Sequence, residues 1–137
     1  MKLKLHHLNL CTTNVAAMDD FYRNVMDMKT FTGMEEIRDR SSDGYSGKVS
    51  FITDGTTQFH LAEKDLGAAF RTKTSLNPLE RGHIAFRTDD IAAFKKRLEA
   101  RGIPYADYGA WAIKGWQQIF FYDPDGNIVE VHQASQM

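Results

Sequence analysis

Four residues with metal-ligand chemistry stand at matched positions of a chain that is written twice. His7-Leu-Asn-Leu-Cys-Thr-Thr-Asn-Val-Ala-Ala-Met18 reappears as His83-Ile-Ala-Phe-Arg-Thr-Asp-Asp-Ile-Ala-Ala-Phe94, 76 residues on and without a gap. Phe51 with Phe59-His60-Leu61 matches Phe121 with Val129-Glu130-Val131, 70 residues on. His7 is therefore equivalent to His83, and His60 to Glu130. Three neutral imidazoles and one carboxylate suit a borderline divalent ion such as Zn, Ni, Co, Fe or Mn. They fit the harder Mg and Ca poorly. Glu130 has a second capacity, because a carboxylate beside a metal can also take a proton from a substrate carbon. Glu63 could do the same if it reached the site. His6 and His132, neighbours of these candidates, are read as surface or supporting residues on the opposite strand faces.

The elements that must position these residues follow from periodicity. Leu3, Leu5, His7 and Asn9 alternate with Lys4, His6, Leu8 and Leu10, the period of a two-faced strand. Val15, Met18, Phe21, Tyr22, Val25 and Met26 fall at helical spacing over about 15–28, with Thr13 or Asn14 as the cap. Residues 29–37 read as a strand fading into a polar, Gly-rich loop over 39–47, a candidate lid. Strands over 48–53 and 58–63 are joined by the hairpin signal Asp54-Gly55.

A connection over about 65–81, with room for one short helix, leads to the second copy. This has a strand over 83–88, a helix over 90–101 capped by Asp89 and closed by Gly102, and a strand over 104–108. A last hairpin, 116–122 with 127–133, surrounds Asp123-Pro124-Asp125-Gly126. Each copy reads strand, helix, then three strands. The expected fold is α+β: one domain over 1–137, made of βαβββ modules at about 1–64 and 82–137. Modules related by a pseudo-twofold axis would bring all four candidate ligands into one concave site.

A chain of 137 residues that is 42% hydrophobic can build one core, but neither half could bury enough apolar surface alone. A net charge of −1 gives no field to attract nucleic acid or anionic membrane, so small molecules or a second copy are the expected partners. The amino terminus shows no apolar run of signal-peptide length and no later stretch is long enough to span a bilayer, so a cytoplasmic location is expected. The single cysteine, Cys11, excludes an internal disulfide and reads as a small buried hydrophobe. Phe31, Tyr45, Trp111 and Trp116 could line a substrate pocket, although strand aromatics are more often core. Arg38 and Lys114 could anchor an acidic substrate, although a solvated surface role is the commoner one for such residues.

The chain resembles the vicinal oxygen chelate superfamily, which includes glyoxalase I, methylmalonyl-CoA epimerase, extradiol dioxygenases and bleomycin-resistance proteins. The matching stretches are His7-Leu-Asn-Leu10, Asp20-Phe-Tyr-Arg-Asn-Val-Met-Asp-Met28, Gly82-His-Ile-Ala-Phe86 and Phe121-Tyr-Asp-Pro-Asp-Gly-Asn-Ile-Val-Glu-Val-His132. The resemblance implies paired modules forming an open, partly closed barrel around a metal, usually in a homodimer. It places the family's metal ligands at His7, His60, His83 and Glu130. Where glyoxalase I has an arginine and an asparagine for glutathione, this chain has Cys11 and Lys64, which argues against glutathione as a co-substrate.

Three functions are open at this stage. The leading one is a metal-dependent lyase or isomerase of glyoxalase type, acting on a small oxygen-chelating substrate through an enediolate-like intermediate, with Glu130 as the catalytic base. A ferrous extradiol-type dioxygenase is the second, since His7, His83 and Glu130 form a two-histidine, one-carboxylate set. A non-catalytic drug- or metabolite-binding module is the third.

Overall fold

Alternation at the amino terminus becomes β1 (Leu3–Thr12). The computed structural model describes residues 1–41, 44–122, 124 and 127–135. The apolar helical stripe forms α1 (Val15–Asn24), whose cap is Asn14, its side-chain oxygen accepting from the Ala17 N–H at 3.0 Å. The helix stops short of Met28 because Asp27 turns the chain at φ +58°, leading directly into β2 (Lys29–Thr30). The strand expected over 29–37 is thus two residues long and is followed by a 3₁₀ turn at Glu35–Ile37.

β3 (Val49–Thr53) and β4 (Gln58–Glu63) form the expected hairpin. Asp54 Oδ1 accepts from the Thr56 and Thr57 N–H groups, and Gly55 supplies the positive φ of the turn. The connection carries one short helix, α2 (Ala68–Thr72). The second module runs through β5 (Gly82–Thr88), α3 (Ile91–Ala100), β6 (Ala106–Ala110), β7 (Trp116–Tyr122) and β8 (Ile128–Ala134).

The cap of α3 is Asp90 rather than Asp89, for Asp90 accepts from the Ala93 N–H while Asp89 accepts from the Lys2 N–H. Of the expected final turn, Asp123, Asp125 and Gly126 lie outside the described residues, as do Ser42 and Asp43 of the expected lid. No helix is long and apolar enough to cross a membrane among the described residues.

The strands form one eight-stranded sheet in the order β2-β3-β4-β1-β5-β8-β7-β6. Read outward from the central antiparallel β1–β5 pair, both modules have the same order. Each places its last strand parallel to its first, β4 on β1 and β8 on β5. The sheet is open. Its edges β2 and β6 do not pair, but a bridge between Arg38 and Ile113 spans the gap, flanked by hydrogen bonds from Asp39 N to Ala112 O and from Lys114 N to Ile37 O.

Helices pack on the sheet with their apolar stripes, Met18 and Tyr22 of α1 against Ile52 and Leu61, and Phe94 and Leu98 of α3 against Ile119 and Val131. Ile52, Leu61, Ile119 and Phe120 are fully buried. Each such side chain contributes about 1.5–3 kcal/mol by leaving water. At the head of β5, Gly82 adopts φ +125°, and a Cβ there would lie 2.0 Å from the Asn9 carbonyl oxygen. Only glycine permits this close approach of β5 to β1, which sets His83 opposite Asn9.

Candidate metal centre

The duplication is preserved in the hydrogen-bond register. In the parallel β1–β4 pair Asn9 faces His60, and in β5–β8 Ala85 faces Glu130. Ala85 is the repeat equivalent of Asn9, 76 residues on. The central β1–β5 pair sets His83 against Asn9 and so joins the two halves. His7, His83 and Glu130 are all buried, and their ligand atoms lie within 4.8 Å of one another. Glu130 Oε1 is 3.0 Å from His83 Nε2 and 3.9 Å from His7 Nε2.

The contact between His83 and Glu130 tests whether a cation fits. His83 Nδ1 sits 2.9 Å from the Pro78 carbonyl oxygen, which can only accept, so Nδ1 carries a proton. In the neutral ring Nε2 then presents a lone pair. It is buried, makes no aligned hydrogen bond, and faces a carboxylate oxygen. That contact calls for a positive centre between the two atoms, a proton on Nε2 or a cation. Burial opposes ionisation of Glu130, but the imidazoles around it, with the hydrogen bond from His132 and the close approach of His83, outweigh it and hold the carboxyl well below its usual range. Burial, reinforced by neighbouring His60, pushes His7 well below the ordinary histidine value and keeps it a neutral donor. Two neutral imidazoles and an ionised carboxylate match a divalent transition metal.

His60 occupies its expected register but stands outside this group. Its ring stacks on His7 at a centroid distance of 3.8 Å and an interplanar angle of 14°, and its Nε2 lies 3.1 Å from Gln58 Oε1. His6 does not point away from His7 as strict alternation requires. The β1–β5 register shifts between Leu5 and His7, a bulge that brings His6 round until its Nδ1 is 2.8 Å from His7 Nδ1.

His132 also departs from its reading. It lies two residues beyond Glu130, so the period of a strand puts both on the same face, and it is fully buried with Nδ1 2.6 Å from Glu130 Oε2. Arg87 Nε donates to the other ring nitrogen at 3.0 Å, and Trp116 stacks on the ring at 3.8 Å. Period-two parity could have identified His132. No local pattern singles out Arg87.

The ligand group opens into a cavity of about 50 Å³. Arg38, Tyr45, Trp111 and Trp116 line it, together with Asn9 and Gln118, which the motifs did not reveal. Phe31 does not line it, packing instead with Met34, Phe51, Ile113 and Trp116. Lys114 is exposed and away from it, and Glu63 lines only outer clefts. Arg38 is buried rather than solvated, because it donates to the Tyr45 and Gly47 carbonyls at 3.0 and 2.7 Å. Gln118 Oε1 is buried with no hydrogen-bond partner. The Cys11 thiol donates to Asn9 Oδ1 at 3.2 Å, and burial pushes its pKa up to about 12.

Comparisons with known proteins agree with this architecture. A crystal structure of a hypothetical protein from Bacillus halodurans C-125 is similar at a TM-score of 0.70 and 22% identity, covering 100% of this chain and 98% of that one. Methylmalonyl-CoA epimerase from Mycobacterium tuberculosis is similar at a TM-score of 0.68 and 16% identity, covering 97% and 89%. A catechol 2,3-dioxygenase is similar at a TM-score of 0.54 and 17% identity, covering 98% of this chain but 42% of its own. These likenesses show the glyoxalase-like fold. No curated protein sequence matches significantly. The model of the glyoxalase/bleomycin resistance protein/dioxygenase superfamily matches residues 4–131, so the chain belongs to that superfamily.

Proposed function

We propose that this protein is a metal-dependent lyase or isomerase of glyoxalase type acting on a small oxygen-chelating substrate. The observation that carries the reading is the convergence of His7, His83 and Glu130 at a buried cavity. These three residues would hold one divalent ion, Zn, Ni, Co, Fe or Mn, whose chemistry when bound is Lewis-acid polarisation of a substrate oxygen.

The surrounding residues do the rest. Trp111 and Trp116 wall the cavity, and Arg38, paired with Glu35 and held by the Tyr45 and Gly47 carbonyls, adds a guanidinium to its lining that suits an acidic substrate. The cavity of about 50 Å³ favours a small substrate. Glu130 Oε2 is committed to His132, so Oε1, the oxygen facing His7 and His83, would hold the ion and would accept a proton from a substrate carbon only on leaving it. Among the described residues lining the cavity Glu130 is the only carboxylate. Proton removal and return therefore occur on one face, unlike an epimerisation that uses two bases.

The test begins with the metal content of untagged protein purified without added metal. About one equivalent is expected, lost in His83→Ala. Metal-loaded protein should then exchange the α-hydrogens of small α-hydroxycarbonyl compounds with D₂O, and Glu130→Gln should slow the exchange by orders of magnitude. Absence of metal uptake on titration sinks this reading and leaves a binding module in front. A homodimer belongs to the same proposal and is checked by sedimentation equilibrium.

One observation favours a second reading. With His60 held by Gln58, the converging set is two histidines and one carboxylate, the arrangement of ferrous oxygenases with open coordination positions. Oxygen consumption with catechols after anaerobic Fe(II) loading distinguishes it. The lyase reading stays ahead because this chain spans less than half of the similar catechol dioxygenase.

A further inference from the structure

We propose that Arg87 is a positioning residue for the metal centre, acting through His132 to fix which oxygen of Glu130 faces His7 and His83. The inference rests on the metal-site reading above and concerns residues outside the ligand set.

The argument is one of donors and acceptors. Arg87 on β5 sits opposite His132 on β8 in the parallel register. Its Nε donates to His132 Nε2 at 3.0 Å. A guanidinium has no acceptor, so His132 Nε2 must present its lone pair, and the proton of the neutral ring then lies on Nδ1. Nδ1 is 2.6 Å from Glu130 Oε2 and donates to it. The chain Arg87 to His132 to Glu130 therefore runs in one direction.

It occupies Oε2 and leaves Oε1 at 3.0 Å from His83 Nε2. With the opposite tautomer, a lone pair on Nδ1 would face the carboxylate and this hold would be lost. Packing fixes the imidazole plane as well. Trp116 stacks on His132 within 10° of parallel, His6 meets it edge-on, and the Arg87 guanidinium lies 5.0 Å from the Trp116 ring centroid. One side chain thus sets both the tautomer and, through Trp116, the orientation of the ring. Hydrogen bonds of this kind behind a metal ligand are worth about 10- to 100-fold in metal affinity.

The experiment compares wild type, Arg87→Met and Arg87→Lys by cobalt affinity in chelator competition, by the visible spectrum of bound cobalt, and by imidazole nitrogen NMR of the metal-free protein. Arg87→Met should weaken cobalt binding by about 10- to 100-fold, alter the visible bands, and shift His132 away from the Nδ1–H tautomer. Arg87→Lys keeps a donor and should recover most of the affinity and the tautomer. A folded Arg87→Met protein with unchanged affinity and tautomer overturns the proposal while the metal site stands. So does an Nε2–H tautomer in wild type, a measurement that needs no variant to fold. A wild type that takes up no cobalt overturns the metal reading, and this proposal with it.

Discussion

His60 stacks on His7 rather than joining it around a common centre, with the rings 3.8 Å apart and the His60 Nε2 engaged by Gln58. The converging atoms are those of His7, His83 and Glu130. His60→Ala should therefore keep about one metal per chain and weaken binding by less than about tenfold, while His7→Ala and His83→Ala lose stoichiometric metal. Chelator competition on the three variants checks this. Equal losses in all three would return His60 to the ligand set.

Glu130→Gln should lower the rate of substrate α-hydrogen exchange by about 10²- to 10⁴-fold, as expected on loss of a general base. The amide oxygen can still accept from His132, so the fold is retained. Exchange rates measured at saturating metal, beside circular dichroism, separate chemistry from stability.

Arg38→Met removes the donors to the Tyr45 and Gly47 carbonyls. An acceptor left without its donor in a buried setting costs about 1–3 kcal/mol, so urea unfolding should shift downward by that amount. Binding of an anionic chelator such as oxalate to the metal-loaded protein, followed by calorimetry, should weaken in parallel.

Gly82→Ala should destabilise the protein by on the order of 3 kcal/mol, through positive φ and collision with a backbone oxygen. The strand pairing that sets His83 is disturbed at the same point, so metal affinity should fall with stability. Denaturant melts and metal titration of the same sample test the link.

Cys11 should be inert in the folded protein, because burial disfavours its thiolate and pushes the pKa up to about 12. An aromatic disulfide reagent at pH 8 should label it on the order of a thousandfold more slowly than the unfolded chain. The folded pKa lies above the unfolded value of about 8.5, so the folded state binds this proton more tightly. The associated stability is present below about pH 8.5 and is lost as pH rises toward 12. A melting temperature flat from pH 8 to 11 in wild type, or falling equally in Cys11→Ala, would contradict this.

The duplication, the strand and helix periods, and the equivalence of His7 with His83 and of His60 with Glu130 are all legible in the sequence. They depend on local alternation and on one repeat spacing, and hydrogen-bond register preserves both. What local pattern does not carry is the aim of individual side chains. A bulge in β1 brings His6 beside His7, Asp27 ends α1 early, and Gln58 engages His60. Arg38 is buried because two loop carbonyls fold back onto it, while Phe31 and Lys114 are carried away from the cavity. Arg87 and His132 acquire their role only when β5 and β8 lie side by side, 45 residues apart in sequence. Period and spacing choose the face of a strand, but the partner across it is chosen by the tertiary fold, and that partner decides the tautomer, the burial and the direction of each polar group.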